Sequence, residues 1–331
     1  MWKEEYVRIG FPNKAADLNI AKTQKLKFDN MPSSFYRYRN FTSNNIDNLK
    51  ENIEWQSYPS EFNDPFDAML KVSIDTFSST LFRKDIDLYI DNAEKHGIHF
   101  TEEEIEELLS SVHPHITLAK KLLNYDPQLK NKDDEIQKYA ELLNKKILEN
   151  YDKVMDNFRK GFNMGYLVTC FSEVKDSVLM WSHYSENHTG YCIEYDFKSL
   201  GPDNSRVRLI EPVIYNDELF DATEYYIETF SNQKGFNNLY GIYPTISKSS
   251  QWEYEKEWRL IFPYGPGVQI DDRKKRALYM PVPKALYLGS KINEDNKNII
   301  LKIAKEKKIT VYQMIQDKNG YNLSEELVYQ G

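Results

Sequence analysis
Aromatic and basic side chains take turns along Phe35-Tyr36-Arg37-Tyr38-Arg39. Successive strand side chains point to opposite faces, so this run predicts a strand with two different faces. Thr42 or Ser43 is placed to cap a helix through Leu49, and Ile53–Ser57 reads as a second short strand. From Pro59 to Asp67 the chain is turn-rich, with Asn63-Asp64-Pro65 at its centre. Residues 1–30 are mixed and polar without a period, and read as an N-terminal arm.

Between about residues 76 and 165 the pattern changes. Lys and Glu become dense and glycine scarce, and Ile136, Tyr139, Leu143, Ile147, Tyr151, Met155, Phe158 and Phe162 recur three or four residues apart. That spacing is one apolar face of a long helix. Strand character returns at Tyr166–Phe171, and Asp176 is placed to cap a helix to Tyr184. Further strands are expected at Gly190–Tyr195, Arg208–Tyr215, Glu253–Pro263, Ala285–Gly289 and Ile309–Gln313, with a helix at Glu294–Lys307 before the last. Strands on both sides of a helical block predict an α+β fold with a mixed or mainly antiparallel central sheet. The core is then residues 31–75 and 166–331, with 76–165 as a large helical insertion. No GxGxxG or GxxxxGK[ST] occurs, which counts against a doubly wound dinucleotide-binding or P-loop fold.

Composition narrows the function classes. The 331 residues carry a net charge of −8, so no broad duplex nucleic-acid surface is expected. The two cysteines, Cys170 and Cys192, form no CxxC pair and suit a reducing compartment. No apolar run approaches the roughly 20 residues that span a bilayer, and the N-terminus lacks a signal core. A cytoplasmic protein without membrane attachment is the expectation.

Four segments carry candidate chemistry. Arg37 and Arg39 share a strand face, and two adjacent guanidiniums call for a phosphate or a carboxylate between them. The turn Phe62–Asp67 offers Asn63, Asp64 and Asp67, which either stabilise the turn or bind a ligand. Ser172 closes a strand, and Trp181, His183 and Tyr184 follow on a helix; His183 and His188 are five apart and do not share a helical face as HExxH does. Read as one strand, Trp252–Ile261 puts Glu253, Glu255, Glu257 and Arg259 on one face. Adjacent carboxylates repel, which raises a pKa or calls for a cation such as Arg259.

Two resemblances arise from these residues. FYRYR, SEFNDPFD, TCFSE, MWSHYSENHTGYCIEYD and WEYEKEWRLI, in this order over residues 33–315, resemble a bacterial family known as a domain of unknown function. The order of an arginine on an early strand, a serine ending a central strand and Glu-x-Glu on a late strand is similar to the R-S-E class of ADP-ribosyltransferases. Here those positions are Arg37 or Arg39, Ser172, and Glu255 with Glu257. Cys170-Phe171-Ser172 stands where that class has Ser-Thr-Ser, and the helical block interrupts the usual layout.

That second resemblance implies NAD as substrate and no metal. Cleaving the nicotinamide–ribose bond develops oxocarbenium character, as glycoside hydrolysis does. It implies that Glu257 faces the developing charge, Glu255 orients the acceptor, an arginine holds the pyrophosphate or ribose, Ser172 positions the site, and Tyr184 or Trp181 stacks on nicotinamide. The acceptor, whether protein, nucleic acid or water, stays open; a toxin or defence effector is the extrapolated setting. Two alternatives stand beside it. One is a metal-dependent nuclease or phosphohydrolase using Asp64, Asp67, Glu255 and Glu257 with Mg²⁺ or Mn²⁺. The other is a non-catalytic nucleotide-sensing or interaction module. All three require Arg37, Arg39 and the Glu255/Glu257 segment to converge on one cleft.

Overall fold
The computed structural model describes residues 2–130, 132–163, 165–231, 235, 237–263 and 276–331. The N-terminal residues fold into α1 (Trp2–Gly10) and α2 (Ile20–Asn30), with Asn19 capping the second. Trp2 stacks on Trp258 at 6.1 Å, and Tyr6 donates a hydrogen bond to Glu211. The fully buried Lys27 ammonium reaches the Arg208 carbonyl at 2.8 Å and Glu211 at 3.2 Å. These partners lie about two hundred residues away in sequence, so no local pattern announces the pairing.

The chain continues through β1 (Phe35–Arg39), α3 (Ser43–Glu51), β2 (Ile53–Trp55) and β3 (Leu70–Lys71). Thr42 supplies the α3 cap. Helices α4 (Ile74–Lys84), α5 (Ile86–Glu94), α6 (Glu102–Ser110), α7 (Pro114–Asn124) and α8 (Asp133–Asn163) fill the block expected to be helical. On α8, Ile136 and Met155 are buried as its period requires, whereas Tyr139 and Leu143 are exposed; the side chains of Phe158 and Phe162 lie outside the described residues. Then come β4 (Tyr166–Ser172), α9 (Val178–Tyr184), β5 (Tyr191–Tyr195), α10 (Ser205–Leu209), β6 (Ile210–Pro212), β7 (Ile214–Asn216), β8 (Phe220–Asp221), α11 (Thr223–Phe230), β9 (Ser247–Ser249), β10 (Glu257–Pro263), β11 (Ala277–Tyr279), β12 (Ala285–Leu288), α12 (Glu294–Lys307), β13 (Thr310–Gln316) and β14 (Leu323–Tyr329).

Several expectations shift. Ser177 rather than Asp176 caps α9. Arg208–Tyr215 is a helical turn followed by two short strands. The segment before Glu257 is a 3₁₀ turn over Ser250–Glu255, and Lys256 takes a left-handed φ of 43°. The long acidic strand therefore begins only at Glu257, because that turn ends in a left-handed residue outside the extended region of a regular strand. β14, absent from the sequence reading, pairs with β13 at the sheet edge.

The fold is α+β around one large, mainly antiparallel sheet of eight strands in the order β14-β13-β12-β5-β1-β4-β10-β6. Only β12 and β13 run parallel within it. Phe35, Phe171, Tyr195, Phe197, Trp258 and Leu260 belong to the main core on one face. On the other, Tyr38 and Cys192 pack against Met180 and Trp181 of α9.

One pairing positions the site. β1 matches β5 along its whole length but meets β4 only at Tyr36↔Ser172. Beyond that pair the two central strands part. Ser57 takes over the β4 edge, exchanging hydrogen bonds of 2.9 Å in both directions with Val168. The sheet is split between β1 and β4.

Candidate functional site
A cavity of about 410 Å³ passes through this split, a size usual for small-ligand sites. In an unbroken sheet Arg37 and Glu257 would lie on opposite faces, since Glu257, Ser172 and Tyr36 are in register and Arg37 is the next residue along. The opening lets both line one cavity.

On the β1 side, Arg37 and Arg39 flank the buried carboxylate of Glu54. Arg39 bonds it directly, and Arg37 Nε stands 3.4 Å from the same oxygen. Arg37 also donates to the Cys170 carbonyl, across the gap where β1 and β4 no longer pair. The Tyr195 hydroxyl donates to Glu54 at 3.0 Å. Burial alone would raise the Glu54 pKa; Arg39 and Arg37 outweigh it and hold the group below the ordinary carboxylate range. One carboxylate thus serves two guanidiniums, leaving this end with one net positive charge.

The opposite end holds three carboxylates and two cations. Arg259, with no exposed surface, makes a two-pronged bond to Asp67 at 2.7 Å on each prong. Its Nε and Nη2 both reach Glu257 at 2.9 Å. The Lys248 ammonium lies 2.5 Å from Glu255, 3.0 Å from Glu257 and 3.6 Å from Asp67. Burial opposes charge on Glu257, but Arg259 and then Lys248 prevail and hold it well below the ordinary range. Glu255 moves the other way, raised by burial and by Glu257 beside it. With all five groups ionised, this end carries one net negative charge.

The sequence-derived candidates divide. Ser172 is buried; its hydroxyl donates to the Glu255 carbonyl at 2.6 Å and accepts from the Val174 amide. It pins the turn that presents Glu255. Tyr184 donates to Glu255 Oε1 at 2.7 Å, and Asn63 Nδ2 donates to the Tyr184 hydroxyl at 3.3 Å. His183 is exposed and lines the same cavity. Trp181 does not line it: the ring is fully buried against Tyr38, and its Nε1 donates to the Lys175 carbonyl. Trp181 and Tyr184 are three apart on one helix, so spacing does not separate them; Trp181 packs into the core while Tyr184, at the end of the helix, reaches the cavity. Asp64 is also absent from the cavity wall; its Oδ1 accepts from the Phe66 amide, the turn role open to Asp at such a position. Asp67 is the acidic residue of that turn which reaches the site.

Sequence reasoning missed Glu54 and Lys248. Glu54 sits in a strand too short to show an alternating face, and Lys248 in an unremarkable polar run, so neither carries a local signal. Both are recruited by tertiary neighbours of opposite charge.

Residues 180–260 match a family model described as a protein of unknown function (DUF2971). The match is shorter than the expected 33–315: it takes in Tyr184, Lys248, Glu255, Glu257 and Arg259, and leaves FYRYR, SEFNDPFD and TCFSE outside. No curated protein and no solved structure matches the chain. Among the described residues, no helix is long and apolar enough to cross a membrane.

Proposed function
We propose that the cavity binds NAD or a related nucleotide and cleaves its N-glycosidic bond, passing the ADP-ribosyl group to water or to another acceptor. The observation that carries this reading is convergence: Arg37 and Arg39 line the same cavity as Glu255 and Glu257, with opposite net charge at the two ends. A dinucleotide with a cationic pyridinium is a dipolar ligand of this kind. Its phosphates suit the arginine end, where guanidinium forks match phosphate oxygens. The pyridinium and the developing oxocarbenium suit the carboxylate end, which favours positive charge before the reaction begins. The strand neighbours β1, β4 and β10 also supply, in chain order, the arginine, serine and glutamate of the R-S-E pattern.

The metal-dependent alternative is less well supported by the donor set. Asp67, Glu255 and Glu257 already share Lys248 and Arg259, which a divalent ion would have to displace. Asp64 does not line the cavity, and its Oδ1 is held by the Phe66 amide.

The bond that breaks joins ribose C1′ to the pyridinium nitrogen, and both electrons go to nicotinamide, which leaves neutral. With water as acceptor, C1′ gains the hydroxyl and one proton is released. The test is nicotinamide release from NAD by the purified protein, with and without EDTA. Release that survives EDTA and falls at least about 100-fold in Glu255→Gln supports the reading. NAD binding without release, unchanged in that variant, points to a sensing module; neither binding nor release refutes the NAD assignment.

A further inference from the structure
We infer that the two glutamates have divided labour in the reverse of the order their spacing suggests: Glu255 is the carboxylate that meets the substrate, aimed by Tyr184, while Glu257 belongs to the framework with Asp67 and Arg259. The inference rests on the reading of the cavity as a glycosidic-bond site, and it comes from counting donors. An ionised carboxylate offers about four acceptor positions. Glu257 takes Arg259 twice, on Oε1 and on Oε2, and Lys248 on Oε2. Three of these positions are therefore taken, all by buried cations, and a ribose hydroxyl or a water would compete with ion pairs on both of its oxygens.

Glu255 accepts from two donors among the described residues, one on each oxygen: Tyr184 on Oε1 and Lys248 on Oε2. About two positions stay open in the cavity wall. Its backbone is fixed from two sides. Ser172 bonds its carbonyl, and the Glu253 carbonyl accepts from the Lys256 amide in the turn that follows. Tyr184 is itself oriented, because its oxygen accepts from Asn63 and its proton is thereby directed to Glu255. Asn63, on the turn after β2, Tyr184 on α9 and Glu255 before β10 form a chain from exposed amide to buried carboxylate. Burial and the neighbouring carboxylate push the Tyr184 hydroxyl far above its ordinary pKa, so it stays a donor throughout the working range. Tyr184 is a positioning residue and Glu255 the catalytic one.

In the reaction Glu255 accepts the proton of the attacking water as oxygen bonds to C1′, then returns it to solvent. Glu257 stays ionised and unprotonated beneath it. Glu255 must therefore be a carboxylate, and turnover falls as pH drops through its raised pKa. The groups facing it are Glu257 from β10, Lys248 from β9, Tyr184 from α9, Tyr215 from β7 and its neighbour Tyr254. Removing the Tyr184 hydroxyl removes a contact that stabilises the charged form.

The experiment compares Tyr184→Phe, Glu255→Gln and Glu257→Gln with the full-length protein in three readouts. Urea midpoints are expected to fall markedly for Glu257→Gln, or that variant fails to fold, while the other two stay near the parent. The ¹³C carboxyl resonance assigned to Glu255 by its loss in Glu255→Gln is expected to titrate at higher pH in Tyr184→Phe. The acid limb of the NAD pH–rate profile is expected to move up with it, with kcat down about tenfold and KM little changed. Equal destabilisation by Glu255→Gln and Glu257→Gln, or an unmoved Glu255 titration in Tyr184→Phe, overturns the inference. If the parent releases no nicotinamide, the cleavage reading fails, while the stability and titration readouts still decide the division of labour.

Discussion
Replacing Arg259 with methionine tests the framework under the site. Arg259 is wholly buried in β10, between β4 and the edge strand β6, and its guanidinium makes four bonds to carboxylates: two to Asp67 at 2.7 Å and two to Glu257 at 2.9 Å. It also donates to the Thr245 carbonyl at 2.8 Å and lies over the Phe62 ring at 5.0 Å. Methionine fills much of the volume but leaves Lys248 alone against Asp67, Glu255 and Glu257. The local charge moves from one net negative to two in a site with almost no solvent. Removing one partner of a buried pair costs about 3–5 kcal/mol, a large share of the roughly 5–15 kcal/mol that holds a domain folded. Arg259→Lys keeps the charge but loses the fork, and should cost less, about 1.5–3 kcal/mol. Urea unfolding followed by tryptophan fluorescence measures both, with the neighbouring Trp258 as reporter. Adding Asp67→Asn and Glu257→Gln to Arg259→Met should recover part of the loss, because the stranded charges go with their partner. A loss under about 1 kcal/mol for Arg259→Met, or no recovery in the combined variant, would refute the ion-pair argument.

Two further outcomes follow from the geometry. A Cβ on Gly190 would lie 2.1 Å from the Arg39 carbonyl oxygen, a backbone atom with no room to give; Gly190→Ala should cost about 3 kcal/mol and displace the end of β1 that carries Arg39, read as a lower urea midpoint together with weaker nucleotide binding. Glu257 and Glu54 are held below their unfolded pKa values, so their stabilisation is complete above the ordinary carboxylate range and is lost as pH falls through the folded values; Glu255 is raised and contributes with the opposite sign as pH falls. The urea midpoint should therefore drop below about pH 4, less steeply in Glu257→Gln and more steeply in Glu255→Gln.

The local parts of this protein are legible from its sequence. The period of two in Phe35–Arg39, the capped periodic segment Glu294–Lys307 and the β-branched run at Tyr166 each name their element, because strand and helix periodicities are set by neighbours within a few residues. The need for an anion between Arg37 and Arg39 is legible too, since two guanidiniums cannot share a face without one; the structure supplies Glu54. What the tertiary structure decided is everything that depends on distant charge and on pairing. Nothing near Glu54, Lys248 or Asp67 in the chain says that each will be buried beside cations or carboxylates from other elements. Nothing in the β1 sequence says that it will leave β4 after one residue pair, which brings side chains from opposite faces of the sheet to one cavity. The choice of Asp67 over Asp64, and of Tyr184 over Trp181, is set by which partners each side chain meets in the folded chain. Periodicity is a property of a segment, whereas a buried charge network is a property of the fold that encloses it.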